Sequence, residues 1–116
     1  MSGITTHVLD TSRGRPAAGV PVRLETRVEG SGGDWRALGR GVTDDDGRLR
    51  DLLPPAHTLA EGAYRLTFDV DSYFAALGAE GFYTEVSVTF VVRDAAAHHH
   101  VPLLLSPYGY TTYRGS

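Results

Sequence analysis

The chain contains no cysteine and no lysine. Without cysteine there is no disulfide, no thiolate nucleophile and no Cys-ligated zinc or iron-sulfur centre, so stability must come from packing. Without lysine there is no Schiff-base or lysine-nucleophile chemistry, and all 11 basic side chains are arginine. Those arginines are scattered, and the formal net charge is -3. The basic patch that binds nucleic acid is therefore missing. No apolar run approaches the roughly 18 residues of a membrane span, and the start, MSGITTHVLD, lacks the basic-then-apolar pattern of a secretory leader. A soluble, cytoplasmic protein is expected, one that engages neither nucleic acid nor membrane. No Gly-x-Ser-x-Gly elbow occurs, and Ser12, Ser87 and Ser106 lie in no recognisable nucleophile setting.

What is present alternates with period two and turns often. The 116 residues suit one domain spanning 1–116, and 14 glycines with 6 prolines indicate many turns. Ile4, Thr6 and Val8 alternate with Thr5, His7 and Leu9, before a turn-rich stretch from Asp10 to Pro16. From Val20 the apolar set is Val20, Val22, Leu24, Thr26 and Val28, facing away from Arg23, Glu25 and Arg27. The loop 29–34 leads to a strand with Trp35, Ala37 and Leu38, and Asp44-Asp45-Asp46-Gly47 forms a tight turn. Tyr64 to Val70 and Val86 to Val92 alternate again, separated by one short helix capped by Asp71 or Ser72 and closed by Gly78. His98 to Leu105 is a further strand, and Ser106-Pro107-Tyr108-Gly109 turns it into a last one from Tyr110 to Gly115. Seven or eight short strands with a single small helix read as an all-β, two-sheet sandwich.

Chemistry concentrates in the histidines. His98 and His100 share a strand face, whereas His99 points the other way with Val101, Leu103 and Leu105. A metal site would need a third ligand, which His7 could supply; a solvated histidine run is the plainer reading. The Asp44 to Gly47 turn is no calcium loop, because Val42 and Leu53 fall where the first and last oxygen ligands belong. Arg48, after that turn, is either exposed or aims its guanidinium at a flat anionic substrate, with Arg50 on the same face if the segment is extended. Two imidazoles within reach of each other can activate water near neutral pH without a nucleophile. Tyr108, Tyr110 and Tyr113 are packing residues in the first instance, though a hydroxyl near the terminus can also bind ligand.

Three segments, ITTHVLDTSRGRPAAGVPVRL from Ile4, TDDDGRL from Thr43 and HVPLLLSPYGYTTYRGS from His100, resemble the transthyretin-related 5-hydroxyisourate hydrolases. The resemblance covers nearly the whole chain, and Tyr-Arg-Gly-Ser is its most specific mark. Where that family commonly reads His-Tyr-His before Val-Pro-Leu, this chain has His99 in the middle. The resemblance implies a transthyretin (prealbumin)-like sandwich of two four-stranded sheets with one short helix, assembled as a homotetramer, with no cofactor and no metal. It implies a purine-derived substrate, 5-hydroxyisourate, with His7, Arg48, His100 and Ser116 as catalytic residues and Tyr113 and His98 as substrate-binding residues. A non-enzymatic carrier of small ligands, as in transthyretin itself, is the alternative on the same fold.

Overall fold

The structure, a computed structural model, describes residues 3–30 and 32–116. Ser31, in the expected 29–34 loop, lies outside them. In chain order come β1 (Gly3–Asp10), β2 (Arg15–Pro16), β3 (Pro21–Arg27), β4 (Trp35–Val42), β5 (Arg48–Leu49), β6 (Gly62–Phe68), α1 (Val70–Ala76), β7 (Val86–Val92), β8 (His98–Ser106) and β9 (Gly109–Thr112). One sheet runs β4-β3-β6-β7, and the other β2-β1-β8-β9 with β5 also on β1. The second sheet remains four strands wide, as expected of a prealbumin-like sandwich. β2 pairs with Leu9 and Asp10 while β5 pairs with Thr6 and His7, so two short strands divide one edge of β1. Among the described residues, no helix is long and apolar enough to cross a membrane.

Period-two alternation becomes the core. Ile4 and Val8 of β1 and Val101, Leu103 and Leu105 of β8 meet Val22 and Leu24 of β3 and Tyr64, Leu66 and Phe68 of β6. Each fully buried apolar side chain contributes about 1.5–3 kcal/mol. β1 and β8 pair in parallel, and neighbouring pairs such as β3 with β6 are antiparallel.

Three local expectations are corrected. The helix cap is Asp69, whose carboxylate accepts from the Ser72 amide, because the chain already turns at Val70. The alternating apolar face of β3 ends by Thr26, and Val28 lies outside the strand and is exposed. The last strand stops at Thr112; Gly115 rejoins the sheet through a separate bridge to His100.

One buried ionisable group ties the helix to β1. Burial pushes the Asp10 carboxyl up, but hydrogen bonds from Ser12, from the Tyr73 hydroxyl and from the Arg13 and Ser12 amides outweigh it, leaving its pKa below the ordinary 3.8. Tyr73 donates to Asp10 at 2.7 Å. A carboxylate with a depressed pKa adds stability that is complete above its unfolded value and disappears as pH falls through the folded one. Tyr73→Phe should therefore cost about 1–3 kcal/mol near neutral pH in urea unfolding, and the deficit should shrink once Asp10 protonates in acid. An equal deficit at all pH values would mean that the Tyr73 hydroxyl does not act through this carboxylate.

Candidate active site

The parallel register of β1 with β8 sets Gly3 against His98, Thr5 against His100 and His7 against Pro102. On the other edge of β1, β5 sets Arg48 against His7. Side chains two apart on a strand share a face, so Thr5 and His7 stand on the face that also carries His98 and His100. A concavity of about 300 Å³ opens there, lined by Thr5, Thr6, Arg48, Arg50, His98, His100 and Ser116. No aspartate or glutamate is among the lining residues. The cavity is thus cationic and polar, suited to a small anionic, flat molecule rather than an apolar one.

The turn before Arg48 is built to hold it. Asp44 Oδ1 accepts from the Asp46 and Arg48 amides, both at 2.9 Å, and Asp44 Oδ2 lies 3.6 Å from the Arg50 guanidinium. The Arg48 amide foremost, with the Asp46 amide and the nearby Arg50 and Arg48 charges, holds the Asp44 carboxyl below its usual range. Gly47 is required twice over: its φ is +75°, and a Cβ there would stand 2.3 Å from the Val8 carbonyl oxygen. That close approach lets the turn dock on β1 through the Val8 amide, which donates to the Gly47 carbonyl at 2.7 Å.

Each histidine has its own setting. His7 Nε2 lies 2.9 Å from the Asp46 carbonyl oxygen, which can only accept. Nε2 therefore carries the proton, and neutral His7 has its lone pair on Nδ1. His100 is half-buried, with Nδ1 2.8 Å from Thr5 Oγ1. Its Cδ2 edge lies against Gly115, where a Cβ would come within 2.6 Å of Cδ2, so Nε2 is the nitrogen left for water or substrate. His98 is exposed and its Nε2 also meets Thr5 Oγ1, at 2.8 Å. His99, 5% exposed on the opposite face, buries an Nδ1 with no hydrogen-bond partner. Burial lowers the His100 pKa below 6.5, and the charges of Arg48, His7 and His98 lower it further. A neutral imidazole, able to take a proton, results.

Of the six residues singled out in the sequence, Arg48, His98, His100 and Ser116 line the cavity. His7 is not among the lining residues, but it shares their face opposite Arg48. Tyr113 lies elsewhere, 56% exposed, in a more apolar groove with Val88, Phe90, His99 and Val101. Thr5 and Gly115 were missed as site residues. The only signal for Thr5 was its place two residues before His7. Among the described residues no group of three histidine, cysteine, aspartate or glutamate side chains is disposed to hold a metal ion.

The family model described as HIUase/Transthyretin family matches residues 4–115. The 5-hydroxyisourate hydrolase of Halalkalibacterium halodurans is 49% identical over 121 residues, covering 100% of each chain. Among solved structures, the 5-hydroxyisourate hydrolase of Klebsiella pneumoniae has a TM-score of 0.83 at 39% identity, covering 100% of this chain and 94% of that one. Sea bream transthyretin in complex with thyroxine has a TM-score of 0.87 at 29% identity, covering 97% and 93%. Backbone shape does not separate the two kinds of relative; the side chains of the cavity must.

The electrostatics of the site are directly measurable. Followed by NMR through a pH titration, His100 should titrate below 6.5, and Arg48→Gln should move its midpoint upward by removing a neighbouring positive charge. An unchanged midpoint would show that the guanidinium is not felt at the imidazole.

Proposed function

The chain belongs to the HIUase/Transthyretin family, and we propose that His7, Arg48, His100 and Ser116, with His98, are the apparatus by which it opens 5-hydroxyisourate. The protein is a hydrolase of urate breakdown, in keeping with relatives that match it over their full length. The observation that carries the site assignment is an arginine-rich cavity, without aspartate or glutamate, around a half-buried imidazole of lowered pKa. Such a base is neutral, and so able to accept a proton, at pH values where an ordinary histidine is partly charged.

In the proposed reaction His100 Nε2 takes a proton from water as the water oxygen attacks the lactam carbonyl. Arg48, beside Arg50, holds the anionic substrate and offsets the charge that develops on the carbonyl oxygen. His7, fixed through Nε2 on Asp46, presents its Nδ1 lone pair and shares in activating the water. The carbon–nitrogen bond of the lactam then breaks, and the proton returns to the leaving nitrogen, giving 2-oxo-4-hydroxy-4-carboxy-5-ureidoimidazoline. Ser116 offers its hydroxyl to orient substrate or water. No step calls for a metal or a cofactor. The carrier reading would want an apolar lining for an aromatic hormone, whereas two arginines and two histidines line this cavity. A homotetramer completes the proposal, supported by the likeness to transthyretin.

The test generates 5-hydroxyisourate in situ with urate oxidase and follows its ultraviolet decay. The protein should accelerate decay well beyond the spontaneous rate, and replacing His7 or His100 should each lower turnover by about 10²-fold or more, with the assembly still four times the chain mass. Unaccelerated decay would overturn the activity, and full turnover in both variants would overturn the mechanism.

A further inference from the structure

A single hydroxyl joins the two histidines of the cavity. Thr5 Oγ1 lies 2.8 Å from His98 Nε2 and 2.8 Å from His100 Nδ1. A hydroxyl has one proton to give, so it can donate to only one of these rings, and the other must donate to it. Two arrangements satisfy both bonds. In one, His100 Nδ1–H donates to Thr5 and Thr5 donates to His98 Nε2; in the other, both directions are reversed. Only the first leaves His100 Nε2 as an acceptor towards the cavity. A base that activates water requires that arrangement.

Resting on the hydrolase reading above, we propose that Thr5 is a positioning residue and proton relay that makes His100 and His98 one unit. When His100 Nε2 binds the proton lost by water, Nδ1–H passes its proton to Thr5 Oγ1, and Thr5 passes its own to His98 Nε2. Two O–H and N–H bonds break and two form, and only the positive charge moves, from the half-buried ring to the exposed one. His100 is left neutral with a proton on Nε2, the form that can donate to the leaving nitrogen. Return of a proton through Thr5 then restores the starting state. The relay spares the cavity a buried imidazolium beside Arg48, which costs far more there than a charge at the exposed His98.

Other charged groups bear on these rings. His7 of β1, Arg48 and Arg50 at and after β5, and the Arg114 guanidinium, 3.4 Å from the His98 carbonyl oxygen, are all positive or can become so. Of these, Arg48 and His7 disfavour a proton on His100 and so favour moving it outward, whereas Arg114 lies beside His98. None of them replaces the Thr5 hydroxyl, since among the described residues no other side chain is hydrogen-bonded to both rings.

The test combines ring-nitrogen NMR with kinetics. In the substrate-free protein at about pH 8, above the histidine range, His100 should be the Nδ1–H tautomer and His98 should have an unprotonated Nε2. In Thr5→Val that pairing should be lost, and kcat for 5-hydroxyisourate should fall about 10-fold or more with KM little changed. Thr5→Ser should recover both the tautomer and kcat. Finding His100 protonated on Nε2 in the wild type would overturn the proposal, whatever the substrate. A fully active Thr5→Val with an unaltered pH profile would overturn it too, whereas a wild type inert towards 5-hydroxyisourate would instead refute the reaction on which the relay rests.

Discussion

Everything at the site depends on the parallel pairing of β1 with β8. This ladder joins residues more than ninety positions apart, such as Thr5 and His100. It buries Ile4, Val8, Val101, Leu103 and Leu105 on one face and, by the alternation of the pleat, turns Thr5, His7, His98 and His100 to the other. A slip of one residue would exchange the faces and put imidazoles in the core. The same apolar residues that stabilise the sandwich thus fix the catalytic register. Stability and chemistry are set by one ladder.

The remaining elements refine what that ladder begins. Asp44 and Gly47 clamp the turn that carries Arg48 onto the edge of β1 opposite β8, and Gly115 returns along β8 so closely that its missing side chain makes room for the His100 ring. Positive groups converge on a cavity lined by no aspartate or glutamate, an arrangement with a cost in self-repulsion. A bound anion would relieve that repulsion, which adds to the larger effect of burial in lowering the pKa of His100. The charges that bind the anion therefore also help to keep the base neutral. Arg48 draws the anion in and, together with burial, keeps the imidazole unprotonated.

Much of the fold was legible because alternation is local: β1, β3, β6, β7 and β8 each show it over several residues. β5 was not, because two residues have no period, and its place on β1 is set by the Gly47 turn. The helix cap fell two or three residues early, since Val70, the last of an alternating run, already begins the helix. At the site, His7, Arg48, His98, His100 and Ser116 could be singled out by residue type and by resemblance. Thr5 could not, because threonine is an ordinary strand residue and only the distant partner reveals its role. Tyr113 illustrates the opposite case. Its motif was conspicuous, but Tyr113 and Arg114 leave the strand before Gly115 bridges back, and Tyr113 joins a different groove.

The central claim is that a neutral, half-buried His100 is the base that opens the ring. The direct measurement compares the acid limb of kcat/KM for 5-hydroxyisourate with the NMR titration of His100 in the same preparation. The two midpoints should coincide, below the ordinary histidine value of 6.5. A kinetic limb that stays in place while the His100 titration differs from it by a full unit would contradict the account.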